Sequence, residues 1–156
     1  MKAFEDRAQC FVDQYSNFTV PSPDPDSQPL HVNGRLTLGE NIADAGGLSA
    51  SFHAWKKRDS SRPDKALPGL EKFTKEQLFF ISYSNWWCSK TTKEAAVQAI
   101  YTDPHAPKPA RILVCANQLV YLPVHTLTRR QGTMANSREF QEAFQCPHKK
   151  PVCKLW

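Results

Sequence analysis

No run in this chain is long and apolar enough to form a transmembrane helix, and its N-terminus has no signal-peptide core. The five cysteines, Cys10, Cys88, Cys115, Cys146 and Cys153, include no CxxC or other metal-binding spacing. Lys and Arg give a formal charge of +5, but apart from Lys56-Lys57-Arg58 they are scattered, so there is no basic stripe and no nucleic-acid partner is expected. Glycine is scarce, six residues against twelve prolines, which points to a loop-rich chain with stiff connections.

What remains is the composition of an ordinary globular protein, 40% hydrophobic and 22% charged, at 156 residues the size of one domain. The cysteines and the sequon Asn17-Phe18-Thr19 favour an oxidising, extracellular setting, with Asn17 as a glycosylation acceptor. The odd number of cysteines leaves at least one thiol without a partner inside the chain.

The stretch from Gly39 to Leu48 is where chemistry can be read. If it is helical, Glu40 and Asp44 are spaced i,i+4 and project from one face about one turn apart. One carboxylate can bind a cation while the other accepts the free ring N–H of a histidine on the same cation. Asn33-Gly34 is a turn signal, and Thr37 followed by Glu40 reads as a capping box, which would explain Glu40 and leave Asp44 unexplained. The helix continues through Leu48, Phe52 and Trp55 as a buried stripe, with His53 off that stripe and exposed. Gly46-Gly47 in its middle costs about 1 kcal/mol per residue relative to alanine, and close packing of a neighbouring backbone is the expected reason.

Around that helix the chain reads as mainly α. Residues 4 to 16 have a helix-compatible pattern, and the proline-rich segment 21 to 29 an exposed loop. Thr74 and Gln77 form a capping box with Phe73 and Leu78 as the staple, opening a helix apolar nearly all round and expected at the centre of the core. Thr91 with Glu94 offers a second box for a short helix through Ile100. A last helix covers Asn136 to Phe144, with Phe140, Ala143 and Phe144 inward. Between the last two, the prolines of Thr102-Asp103-Pro104-His105-Ala106-Pro107 hold a loop stiffly extended. His105 there and Arg111 beyond it can donate to a developing oxyanion and to a substrate carbonyl or carboxylate.

The string from Asn33 to Leu48, NGRLTLGENIADAGGL, resembles the NGxxTLGENIADNGGL segment of the neprilysin and endothelin-converting-enzyme family of zinc endopeptidases, with Ala45 where that family usually has Asn. Gln77-Leu78-Phe79-Phe80, Trp87-Cys88, the TDxHSPxxxR-like segment Thr102 to Arg111 with Ala106 in place of Ser, the GTxxNSxxFxxAFxC pattern from Gly132 to Cys146, and the terminal Cys153-Lys154-Leu155-Trp156 extend the resemblance over nearly the whole chain. It implies the C-terminal helical part of a zincin (gluzincin) catalytic domain. By resemblance Glu40 is the third ligand of one Zn2+ ion, Asp44 orients a zinc-bound histidine, His105 stabilises the tetrahedral intermediate, and Arg111 binds the backbone of a peptide substrate. Cys10 pairs with Cys153, and Cys88 and Cys146 with cysteines absent from this sequence.

Two departures qualify the resemblance. Eighteen residues, Val114 to Gln131, have no family counterpart and include Cys115, Tyr121 and His125. Val114-Cys115 can be encoded by GTATGT, Leu127-Thr128 can contain CTGAC and Gln131 can be CAG. These are the donor, branch-point and acceptor signals of a compact intron, so the segment is read as a retained intron translated in frame, against a surface insertion that a loop tolerates cheaply. The second departure is the absence of HExxH: the five histidines, His31, His53, His105, His125 and His148, provide neither the two zinc ligands nor the general-base glutamate. The expectation is therefore a partial peptidase domain over 1–156 that is inactive alone. It would be completed by a missing N-terminal part of the same protein, with Met1 an internal methionine or a gene-model start. It would face the outside of the cell and touch a membrane only through an anchor absent here. The other reading is a catalytically inactive interaction module that lacks the HExxH helix.

Overall fold

A computed structural model describes residues 2–24, 26–62, 65–112, 132–145 and 153–155. The segment proposed as an intron, and with it Cys115, His125, Cys146, His148 and Trp156, lies outside the described residues. The element order is α1 (Lys2–Ser16), β1 (Thr19–Val20), β2 (Leu30–His31), α2 (Leu38–Ser61), α3 (Lys75–Trp86), α4 (Lys93–Thr102), α5 (Lys108–Arg111), a 3-10 turn (Thr133–Asn136) and α6 (Arg138–Ala143). The two strands form a minimal antiparallel ribbon in which Thr19 faces His31 and Val20 faces Leu30. The proline-rich connection between them has no helix or strand in its described residues, as expected.

Two buried clusters organise the helices. One gathers Phe11 and Tyr15 of α1, Val20, Val32, Ile100 of α4, Ala106, Ala110 and Cys153. The other gathers Leu48 and Phe52 of α2, Phe80 of α3, and Met134, Phe140 and Phe144. The second is an aromatic stack: the Phe52 and Phe80 rings lie 5.2 Å apart and nearly parallel, and Phe140 meets Phe80 edge-on at 5.3 Å. The long helix α2 serves both, its Ile42 and Ala45 packing on the first and its Leu48 and Phe52 inside the second. Glu40 and Asp44 therefore sit on a helix anchored in both clusters.

Local signals are realised unevenly. Thr74 caps α3 as expected, its side chain accepting from the Gln77 backbone N–H while the Gln77 side chain accepts from Thr74 N–H. The box expected at Thr37 is not formed. The Thr37 hydroxyl donates to the Asn33 carbonyl and accepts from the Asn41 side chain, so Glu40 is left free of capping. Asn33 supplies the turn instead, its side-chain oxygen accepting from the N–H groups of Arg35 and Leu36. For α4 the cap is Thr92, one residue later than expected, and it accepts from Ala95 N–H. The helix α3 is not central on every side: Phe80 and Ser84 are buried, whereas Trp86 is 81% exposed. The loop before α5 is not stiffly extended throughout either. It bends at Pro104-His105 and turns helical from Lys108.

Glycine is used where segments meet at Gly34, and not at Gly47. A Cβ built on Gly34 would lie 2.2 Å from the Val12 carbonyl oxygen, so the turn before α2 presses directly on α1. At Gly47 nothing comes within 4 Å, and close packing does not account for it. Gly47→Ala is therefore expected to stabilise the chain by about 1 kcal/mol, read as a higher urea midpoint at unchanged slope. A lower midpoint would show a contact that the structure does not contain.

Candidate active site

Helix α2 and the segment from the Asp103 loop through α5 bring four charged side chains together. The Glu40 carboxylate is 3.2 Å from His105 Nε2, and Asp44 Oδ2 is 2.8 Å from Arg111 Nε. The i,i+4 spacing thus places both acids toward one loop, each against its own base. The second pair is the deeper one, with Arg111 5% and Asp44 15% exposed, while Glu40 and His105 are close to half exposed.

His105 is held from behind. Its Nδ1 lies 2.7 Å from Asp103 Oδ1, and its backbone N–H donates to the same oxygen. That backbone bond is the main reason the Asp103 carboxyl lies below its usual range. Each ring nitrogen therefore faces a carboxylate, and the ring plane is fixed from both sides.

Arg111 is sandwiched. Its guanidinium carbon stands 4.2 Å from the centre of the Trp87 ring, a cation–π stack that leaves the planar edge toward Asp44. The Asp44–Arg111 approach is bent: neither Arg111 Nε nor Asp44 Oδ2 has an aligned hydrogen-bond partner. Burial pushes the Asp44 carboxyl above its ordinary value of 3.8, Arg111 pulls it back down, and the neighbouring Glu40 pushes it up again. Beside them burial raises the Tyr83 hydroxyl to about 12, and that hydroxyl also has no aligned partner.

Of the residues singled out in the sequence, Glu40, Asp44, His105 and Arg111 converge. Cys10 and Cys153 form a disulfide with Cα atoms 5.6 Å apart, across 143 residues of sequence. Cys88 is an exposed free thiol. Asn17 is exposed at the end of α1, its side-chain amide donating to the Asp13 carbonyl, and His53 is exposed, 3.6 Å from Glu139. Sequence reasoning gave Asp103 no role, and took Trp87 as part of the apolar helix and of the family resemblance without a place at the site. Asp103 shared a loop with His105, which was a usable signal; the Trp87 stack on Arg111 had none.

The donor set decides how far a zinc ion fits. Among the described residues no three His, Cys, Asp or Glu side chains gather to hold a metal. Glu40, half exposed and backed by Asp44 one turn on, suits one corner of a tetrahedral site and no more.

A mainly helical body with an acid pair on its longest helix, set against a histidine and an arginine from a distant loop, is the helical part of a zincin-type peptidase domain. The chain belongs to peptidase family M13, whose model matches residues 1–121. It is 35% identical to Neprilysin-11 of Caenorhabditis elegans, 40% to an endothelin-converting enzyme homolog of Locusta migratoria and 37% to human endothelin-converting enzyme 1, each along the whole of this chain. It spans only 16%, 19% and 18% of the lengths of those relatives. Among solved structures, the zinc metalloprotease Zmp1 of Mycobacterium tuberculosis in complex with an inhibitor superimposes with a TM-score of 0.69 at 23% identity. That match covers 98% of this chain and 20% of the other, and it bears on the fold.

Proposed function

We propose that this chain is part of the catalytic domain of a zinc metalloendopeptidase and supplies one side of its active site. The observation that carries the reading is the convergence of Glu40, Asp44, His105 and Arg111 from two segments far apart in sequence. Glu40 holds the zinc ion together with two histidines from a part of the protein outside this sequence. Bound there, the ion supplies the Lewis acidity and activated water that peptide hydrolysis requires. Asp44 turns one of those histidines. His105, braced by Asp103, donates to the oxyanion that forms on the substrate carbonyl, and Arg111, flat against Trp87, aligns the peptide backbone. The Cys10–Cys153 disulfide and the exposed Asn17 fit an extracellular setting; among the described residues no helix is long and apolar enough to cross a membrane.

The isolated chain is expected to bind zinc weakly and to cleave no peptide. Stoichiometric zinc with turnover would overturn the division of the site. Grafted into human endothelin-converting enzyme 1 in place of the matching segment, the chain should restore bound zinc and hydrolysis, and Glu40→Gln should lose both. A folded graft that keeps its zinc after Glu40→Gln would remove Glu40 from the ligand set. For the segment Val114 to Gln131 we propose a retained intron: a transcript read joining Leu113 to Gly132 would support it, and deep transcript coverage that always includes the segment would overturn it.

A further inference from the structure

His53 and Glu139 meet in a way that a simple ion pair does not explain. The His53 Nδ1 atom lies 2.8 Å from the Ser49 carbonyl oxygen, one turn back on α2. A carbonyl only accepts, so Nδ1 carries the ring proton, and in the neutral ring Nε2 presents its lone pair. That lone pair faces Glu139 Oε1 at 3.6 Å. The carboxylate is held from its other side: Oε2 accepts from the Ser137 hydroxyl at 2.9 Å, while the Ser137 oxygen accepts from Phe140 N–H. Two acceptors, each braced by its own outer partner, are therefore aimed at one another.

The distance decides what belongs between them. A protonated ring would draw the carboxylate in to about 2.8 Å as a charge-assisted hydrogen bond, and 3.6 Å is too long for one. Zinc bonds to an imidazole nitrogen and a carboxylate oxygen run about 2.0–2.2 Å, which at the tetrahedral angle sets the two ligand atoms about 3.4 Å apart. We propose that His53 Nε2 and Glu139 Oε1 are the two protein ligands of a zinc site that ties α2 to α6. The braces are those that metal ligands need: a backbone carbonyl fixes the histidine tautomer, and a hydroxyl fixes the carboxylate. Two corners of the tetrahedron are left for water, and the pair lines a cavity of about 330 Å3, walled also by Ser49 and Asn136, with room for it. Arg138 and Lys154 line the same cavity, and their positive charge keeps the affinity modest. Glu40 lies thirteen residues back on α2, roughly 20 Å along the helix axis, so this ion is not the one the peptidase reading requires. The proposal does not rest on that reading.

The test is titration of the full chain with Zn2+ alone, in a Glu40→Gln background that removes the active-site carboxylate, followed at the ring nitrogens of His53 by 15N NMR. The Nε2 resonance should move as Zn2+ is added, while Nδ1 keeps its proton. Glu139→Gln should raise the zinc concentration at half-change about tenfold or more. Glu139→Asp, which keeps the charge and draws the carboxylate back by one methylene, should weaken binding as well, which attraction by charge alone would not do. Both side chains are partly exposed, 65% for His53 and 21% for Glu139, so neither change opens a void in the core. Zinc held by the exposed Cys88 thiol would leave Nε2 unmoved, so the readout isolates this site. An Nε2 resonance that stays in place at excess Zn2+ would overturn the proposal, as would equal half-points in the background chain and Glu139→Gln. A failed graft at Glu40 leaves this site standing, and a failed titration here leaves the graft to be judged on its own.

Discussion

Replacing Arg111 with methionine should cost the chain about 3 kcal/mol at neutral pH. Methionine keeps most of the buried volume against Trp87 but leaves the Asp44 carboxylate, 15% exposed, without its counter-charge. Removing one partner of a buried pair costs roughly 3–5 kcal/mol, and the partial exposure of Asp44 places the effect at the lower end. The pH dependence separates this cause from lost packing. In the parent, Asp44 has a folded pKa above its unfolded value of 3.8, so its contribution to stability is complete below 3.8 and is lost as pH rises through the folded value. Without Arg111, which pulls that pKa down, the folded value climbs further and the loss at neutral pH deepens. The deficit of the variant should therefore shrink on acidification and nearly vanish below 3.8, measured by urea unfolding across the range. A deficit independent of pH would assign the cost to the Trp87 stack instead.

The disulfide carries the other large effect. Cys10 and Cys153 enclose nearly the whole chain, and closing so long a loop in the unfolded state is worth about 5 kcal/mol on the chain-entropy account. The half-cystine Cys153 is 2% exposed and packs with Phe11 and Tyr15, so a double alanine variant also leaves a small void. The pair Cys10→Ala and Cys153→Ala should lower the urea stability by about 4–5 kcal/mol, close to the whole stability of a typical small domain. An unchanged midpoint would mean that the ends are held by noncovalent contacts alone, among them the bond from Arg7 to the Leu155 carbonyl.

How much of this was readable from residues depends on the range of the interaction. The Thr74-Gln77 box is complete within four residues, and the sequence contains all of it. At Thr91-Thr92 two candidate caps stand side by side, and the structure uses Thr92, a choice the local pattern does not record. The apolar run Leu78 to Trp87 was read as core on all sides. Its composition could not say that Trp86 lies outside while Phe80 fills the aromatic stack. For the site, the i,i+4 spacing placed Glu40 and Asp44 on one face, and the resemblance to the M13 peptidases named His105 and Arg111. Which acid meets which base, and the closeness of Gly132 to Ala110, are facts of tertiary contact. Glycine at 47 misled for the same reason: its cost in mid-helix suggested a contact, and the contacts were at Gly34 and Gly132.

The covalent link between the first helix and the tail also gives the molecule the connectivity of a ring. With Cys10 joined to Cys153, a peptide bond cut once anywhere between them opens the ring without releasing either piece. A nick in the exposed proline-rich loop would leave α1, with Tyr15 on it, tethered to the body that carries Asp44 and Arg111. In an environment shared with other proteases, the site could survive damage to the chain for as long as the sulfur bridge stays oxidised.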